Sequence, residues 1–330
     1  MRSFAYHRAS GVASAIQLGS TDETRFLAGG TNLVDLMKCN VERPATLVDV
    51  TALPGLDQVD VGPARIRIGS LARMSTVADH PDLKATAPAV SESLWRAASA
   101  QIRNMATMGG NLLQRTRCPY FRDESGNVSC NKRNPGSGCA ALSGVNRNHA
   151  VLGGSEFCIA TYPGDFATAL VAFDGLIHVR GRDSRVVKAN DFFRSPGSTP
   201  HIENDLTVGE FITAIELPVT QSLRASHYLK VRDRSSYEFA AASAAAGLEL
   251  EKDGRTIKDA RIALGGVGTK PWRVRVVEAE LIGKPCTEDV IRRAANHGAE
   301  GAHPLPQNAF KVTLIPRVIA RALIEAVRLA

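Results

Sequence analysis

Short apolar stretches separated by glycine- and proline-marked breaks predict most elements of this chain. Helical spacing over residues 11–18 follows Ser10, which is placed to cap it. Arg25-Phe26-Leu27-Ala28 predicts a short buried strand running into Gly29-Gly30, and residues 33–38 return to helical spacing. Thr46-Leu47-Val48-Asp49-Val50 predicts a second strand, closed by a Pro54-Gly55 turn. This order predicts a small α/β unit over residues 1–55. Arg65-Ile66-Arg67-Ile68 alternates as a half-buried strand should, and residues 74–98 read as helix interrupted at Pro81 and Pro88.

Residues 116–155 show no sustained periodicity and are rich in Asn, Gly, Arg and Cys. A structureless stretch of that length inside a compact domain needs something to order it. Apolar structure resumes over 166–173, and 176–187 predicts a hairpin. A third region begins near Leu223. Residues 239–248 are small and apolar, Asp253-Gly254 marks a hairpin turn, and 257–264 predict a strand. Residues 318–329 have helical spacing, with Pro316 placed in the first turn, where a missing N–H costs little.

At 330 residues the chain is long enough for two or three domains. With 44% apolar and 22% charged residues it is ordinary globular material, which excludes collagen-like, coiled-coil and disordered classes. No apolar run approaches the ~20 residues of a spanning helix, so membrane insertion is excluded. The first 30 residues lack a basic start followed by an apolar core, so no signal peptide is expected. The net charge of +7 would permit nucleic-acid binding, but aromatic residues are only 5% and do not interleave with the basic ones. The excess is also local. Between Arg96 and Arg147 stand eight basic and two acidic residues, which points to an anionic guest or partner there. Six cysteines are too few for a disulfide scaffold. Cys118, Cys130, Cys139 and Cys158 cluster in or beside the basic segment, while Cys39 and Cys286 stand alone.

Three motifs carry chemistry. In Phe26-Leu27-Ala28-Gly29-Gly30-Thr31-Asn32-Leu33 a strand delivers two glycines and a hydroxyl to a helix start, an arrangement that brings amides close to a phosphate. An ordinary strand-to-helix turn is the alternative. Thr107-Met108-Gly109-Gly110-Asn111-Leu112 is a second such turn, and two together suit a dinucleotide with a pyrophosphate. Neither has Rossmann or P-loop spacing. The third is the cysteine set, which lacks zinc-finger pairs and the compact ferredoxin run. Four thiolates could hold a [4Fe–4S] cluster, with basic residues offsetting its charge and Gly136-Ser137-Gly138 free to aim amides at sulfur. Zinc, two disulfides or scattered thiols stay open on chemistry alone. Gly265-Gly266-Val267-Gly268 reads as a structural turn.

The three stretches Leu27–Leu33, Thr107–Leu112 and Pro163-Gly164-Asp165 resemble the FAD-binding subunit of molybdenum hydroxylases, the xanthine dehydrogenase and aldehyde oxidoreductase family. Asn308-Ala309-Phe310-Lys311-Val312 resembles a segment of the same subunit's C-terminal domain, so the likeness spans the chain. Between the second and third motifs most members have far fewer residues. The longer insertion here, with Cys118-Pro-Tyr-Phe-Arg-Asp and Cys130-Asn-Lys-Arg, is similar to that of the flavin and [4Fe–4S] subunit of bacterial periplasmic aldehyde oxidoreductases.

The resemblance implies an α+β fold. A two-part FAD-binding domain of the PCMH type would cover 1–221, as units 1–55 and 56–221 with an Fe–S insertion over 116–158. A C-terminal domain of the CO dehydrogenase flavoprotein type would cover 222–330. It implies that Phe26, Leu27, Ala28, Gly29, Gly30, Thr31, Asn32 and Leu33 wrap the FAD pyrophosphate and that Thr107, Gly110 and Asn111 form the second wall. Asp165 would bond a sugar or ribityl hydroxyl, Ile212 would give an apolar contact, and Lys230 would stabilise reduced flavin. Gly164 departs from the family's serine. Cys118, Cys130, Cys139 and Cys158 would ligate the cluster. The implied role is electron transfer from a molybdenum-bearing large subunit and a [2Fe–2S] small subunit, through FAD, to ferredoxin, quinone or oxygen. The alternative is the flavin subunit of a xanthine-dehydrogenase-like, NAD-reducing enzyme or of a hydroxybenzoyl-CoA-reductase-like one. The expected location is the periplasm, by co-export with a signal-bearing partner, or the cytoplasm.

Overall fold

A computed structural model describes residues 1–330. Three sheets follow one another along the chain. Strands β1 (Ala5–Arg8), β2 (Thr24–Leu27) and β3 (Thr46–Asp49) form a parallel sheet in the order β1-β3-β2. Helices Val12–Leu18 and Leu33–Lys38 make the crossovers that parallel pairing requires. Strand β1 escapes the sequence pattern because all four of its residues are exposed and carry no apolar alternation. The first helix is capped at Gly11 with no side-chain bond, so Ser10 does not serve as its cap.

Strands β4 (Val59–Val61), β5 (Arg65–Gly69), β6 (Leu176–Arg180), β7 (Ser184–Lys188) and β8 (Phe211–Pro218) build an antiparallel sheet ordered β4-β5-β8-β6-β7. Helices Met74–Asp79, Pro81–Thr86 and Pro88–Trp95 share its hydrophobic core, the last lying chiefly against strand Ser226–Val231, and each proline opens its helix. There its absent N–H interrupts no bond. Helix Asp165–Ala172 is buried at every position and joins this core to the next.

The third sheet, β9 (Ser226–Val231), β10 (Ala242–Leu250), β11 (Ile257–Gly265) and β12 (Trp272–Arg273), is ordered β12-β11-β10-β9. The Asp253-Gly254 turn forms as the sequence predicts, with Gly254 at φ +65° and the Asp253 carboxylate accepting from the amides of Arg255 and Thr256. Helix Phe310–Val327 covers the sheet. It starts eight residues before the apolar run that signals it. Pro316 therefore lies inside the helix rather than in its first turn, and the Val312 carbonyl loses its i+4 donor. The early start is a tertiary effect, because Lys311 is fully buried and donates to the Gly266 carbonyl at 2.7 Å. Residues 116–155 form turns and isolated bridges, among them one pairing Cys130 with Cys139.

Candidate functional site

The two Gly-Gly turns meet. Strand β2 carries the chain to Gly29, where a Cβ would run into the backbone carbonyl of Met105. This glycine holds the first turn against the segment leading into the second. Gly30, at φ +71°, supplies the left-handed residue that bends the chain into the following helix. The amides of Gly30, Thr31 and Asn32 find no protein acceptor. In the second turn Thr107 Oγ1 caps its helix by accepting from the Gly110 amide at 3.4 Å, and the Gly109 amide donates to the Ser70 carbonyl at 2.8 Å.

On either side of this junction lie two cavities, of about 630 and 580 Å³. Thr31, Asn32, Gly110, Gln114 and Tyr162 line both, so the two halves make one bent cleft. Two buried amide groups at the bend are only half satisfied. Asn32 Oδ1 accepts from the Arg115 amide at 3.1 Å while its Nδ2 has no partner. Asn111 Nδ2 donates to Met74 Sδ while its Oδ1 has none. A stranded donor and a stranded acceptor in a polar cleft fit an extended ligand that carries both functions.

Most of the sequence-predicted residues reach this cleft. Phe26, Ala28, Gly29, Gly30, Thr31, Asn32, Leu33, Thr107 and Gly110 line the first cavity, and Asn111 and Asp165 line the second. Leu27, Ile212 and Lys230 are brought to neither. Ile212 is buried in the core beside Gly109. The Lys230 ammonium is spent inside the protein, donating to Asp165 Oδ2 at 2.8 Å and to the Arg96 carbonyl at 3.0 Å. Asp165 also accepts from the Tyr228 hydroxyl at 2.6 Å, so both of its oxygens are engaged before any sugar hydroxyl arrives. Burial raises its carboxyl above the usual range, and Lys230 and Tyr228 work against that rise. At Gly164 the Tyr162 ring occupies the space a Cβ would need, which suits glycine in place of serine.

The basic excess is met chiefly by acids from outside its own segment. Arg117 and Arg122 reach Asp35, and Arg147 reaches Asp233. Arg115 bridges Glu42 and Glu203, and Lys132 bonds Glu203 Oε1 at 2.9 Å. Burial alone would raise Glu203, but Arg115 and Lys132 outweigh it and hold its pKa below the usual value. The charge pattern is therefore mostly a set of ties, partly buried at Arg115 and Lys132, between the insertion and its surroundings. Two nitrogens, Arg117 Nε and Arg122 Nη2, remain buried without a partner.

Cys118, Cys130, Cys139 and Cys158 line one small hollow of about 10 Å³ walled by Phe121, Ala141 and Ala160. All six cysteines are free thiols, so no disulfide forms. No three His, Cys, Asp or Glu side chains converge tightly enough to hold one metal ion. Four thiols lining one hollow are the donor set that either a [4Fe–4S] cluster or a tetrahedral zinc takes. Backbone amides of Tyr120 and Phe121 face Cys118, those of Lys132 and Arg133 face Cys130, and the Ala160 amide lies 3.4 Å from Cys158 Sγ. The expected donors Gly136 and Gly138 turn instead to Asn131 Oδ1, at 3.1 and 2.8 Å. Burial pushes the Cys118 thiol up to about 12 and the Cys158 thiol up to about 11. Both groups therefore hold their protons at neutral pH.

No motif or spacing marks His149. Its ring is buried, with Nε2 3.2 Å from Cys118 Sγ. Burial and the nearby Lys311 push its pKa down to about 4, so it is neutral at physiological pH. Both His149 and Cys118 also line the second cavity of the cleft, and Cys118 is alone among the four cysteines in bordering both hollows.

A bent double cavity, entered by two glycine turns and held between α+β units, defines a protein that binds an extended dinucleotide cofactor. Residues 2–220 match the family described as FAD binding domain in molybdopterin dehydrogenase, and residues 227–326 match the CO dehydrogenase flavoprotein C-terminal domain. The chain belongs to this molybdopterin-dehydrogenase flavoprotein family. It is 44% identical to the aldehyde oxidoreductase FAD-binding subunit PaoB of Escherichia coli (strain K12), over 99% of each chain. It is 28% identical to the glyceraldehyde dehydrogenase medium chain of Sulfolobus acidocaldarius, over 91% of this chain and 89% of the relative. Its fold matches a chain of the reconstituted CO dehydrogenase from Oligotropha carboxidovorans with a TM-score of 0.76 at 21% identity, covering 99% of each.

Proposed function

We propose that this chain is the electron-transfer flavoprotein subunit of a molybdenum-containing aldehyde oxidoreductase, holding FAD in the bent cleft and a [4Fe–4S] cluster on Cys118, Cys130, Cys139 and Cys158. The observation that carries the reading is the shared wall at Cys118, which sets a four-thiol hollow directly against a dinucleotide cleft. The full-length likeness to an aldehyde oxidoreductase FAD-binding subunit supports the substrate class.

The free amides of Gly30, Thr31 and Asn32 and the second turn at Thr107–Asn111 suit the pyrophosphate at the bend. The stranded Asn32 Nδ2 and Asn111 Oδ1 suit polar groups on either side of it. The second cavity, with Met74, Ile102 and Ala106 on its wall, suits the flavin ring. Bound FAD supplies the exchange between two-electron and one-electron carriers. Lys230 acts through Asp165, holding that carboxylate in place at the cavity wall.

Substrate oxidation belongs to a molybdenum-bearing large subunit, with a [2Fe–2S] small subunit between it and this chain. Ferredoxin, quinone or oxygen takes the electrons. No helix is long and apolar enough to cross a membrane. Either co-export to the periplasm or the cytoplasm accommodates such a complex. The absorbance spectrum of the purified full chain tests the reading. Flavin bands over a broad iron–sulfur shoulder are expected. Flavin alone would make it a cluster-free flavoprotein, and neither chromophore would make it a binding protein without redox work.

A further inference from the structure

The sulfur of Cys118 has a side-chain neighbour that no motif explains. His149 Nε2 lies 3.2 Å from Cys118 Sγ, within hydrogen-bond reach for sulfur, and the ring is 4% exposed. Its other nitrogen, Nδ1, is buried with no partner. While Cys118 is a thiol, its S–H can donate to Nε2. Once its sulfur ligates iron it has no proton to give, and a hydrogen bond between the two then needs the proton on Nε2, with the ring as donor. The backbone amides that face Cys118 come from its own turn, whereas His149 reaches it from 31 residues away and lines the flavin-side cavity as well.

We propose that His149 is a positioning residue that donates an N–H···S bond to the Cys118 corner of the cluster, the corner facing the flavin cleft, and thereby raises the cluster's reduction potential. The reduced cluster carries one more negative charge than the oxidised one, so a donor to its sulfur stabilises the reduced form more. The inference rests on the cluster reading above.

The test uses the full chain carrying His149→Leu, which removes the donor at similar volume, and His149→Gln, which keeps an N–H. Iron per chain is measured first, and the cluster's midpoint potential is then read by dye-mediated titration followed by electron paramagnetic resonance. The expected result is iron retained in both variants, a potential shifted negative in His149→Leu, and part of the shift recovered in His149→Gln. An unchanged potential in an iron-replete His149→Leu chain overturns the inference and leaves the cluster reading intact. Iron lost from both variants overturns it too, because a bond that only tunes the cluster leaves four ligands to hold it. A wild-type chain without iron removes the cluster reading itself, and this inference with it.

Discussion

Lys230 and Asp165 form a buried ion pair, Nζ to Oδ2 2.8 Å, with side chains 1% and 6% exposed. The pair ties β9 to the first residue of the buried helix 165–172. Removing one partner of such a pair leaves an uncompensated charge and costs roughly 3–5 kcal/mol, whereas removing both is often near neutral. Lys230→Met is therefore expected to lower the urea midpoint sharply, and Lys230→Met with Asp165→Leu to recover most of the loss. A Lys230→Met chain of wild-type stability with an altered flavin potential would instead make Lys230 a direct flavin partner.

The glycines of the two turns are expected to separate into folding and binding roles. Gly29→Ala drives a Cβ into the Met105 backbone and should impair folding. Gly110→Val meets only the Thr107 hydroxyl, at 3.1 Å for its Cβ, and projects into the cleft. It should fold and lose flavin. Circular dichroism and flavin content on each variant check this, and a folded Gly110→Val chain with full flavin would contradict it.

Acid stability has an identifiable source at the rim of the first cavity. Hydrogen bonds from Arg185 to Glu210, at 2.8 and 2.7 Å, lower its pKa from 4.5 to about 2 despite partial burial. A carboxylate depressed by folding adds stability above its unfolded pKa and loses it as pH falls through the folded one. The wild type should therefore lose stability between about pH 4.5 and about pH 2, and Glu210→Gln should show a shallower loss there from a lower starting value. Urea midpoints across that range, identical in slope for both chains, would refute the assignment.

Much of the cleft was legible because its turns are local. A strand, two glycines and a helix start declare themselves within eight residues, and the Asp253-Gly254 hairpin within two. What escaped was assembled over distance. Arg115 meets Glu203 across 88 positions and Glu42 across 73. His149 meets Cys118 from outside any ligand spacing, and Asn32 is pinned by the Arg115 amide, freeing its Nδ2. No periodicity encodes such pairs. The charge run hid its protein partners for the same reason, since the counter-charges Asp35, Glu42 and Glu203 lie elsewhere in the sequence. The partners of Lys230, Asp165 and the Arg96 carbonyl, were not legible either, because a strand pattern gives the face of a side chain and not its partner.

For the electron acceptor we propose a reading that rests on the same arrangement. The two phosphate-type turns converge on one cleft, so a single FAD accounts for both. In the remaining glycine stretch Gly266, at φ +73°, packs on the Ala240 backbone with its carbonyl bonded by Lys311, and it lines the same second cavity rather than a separate one. The assembled enzyme is expected to reduce one-electron acceptors or oxygen and not NAD. Stopped-flow reoxidation of the aldehyde-reduced complex decides it, and rapid reoxidation by NAD with a sluggish response to ferredoxin, quinone and oxygen would overturn it.

The central claim is that one chain holds a flavin and a cluster side by side, and electron counting tests it most directly. FAD accepts two electrons and a [4Fe–4S] cluster one. Anaerobic titration of the full chain with dithionite is expected to consume about three electrons per flavin. The same titration of a Cys118→Ser chain should consume about two, while Cys39→Ser and Cys286→Ser, whose thiols lie outside the four-cysteine cavity, should match the wild type. A wild-type chain that takes up only two electrons per flavin, with no change in Cys118→Ser, would contradict the account.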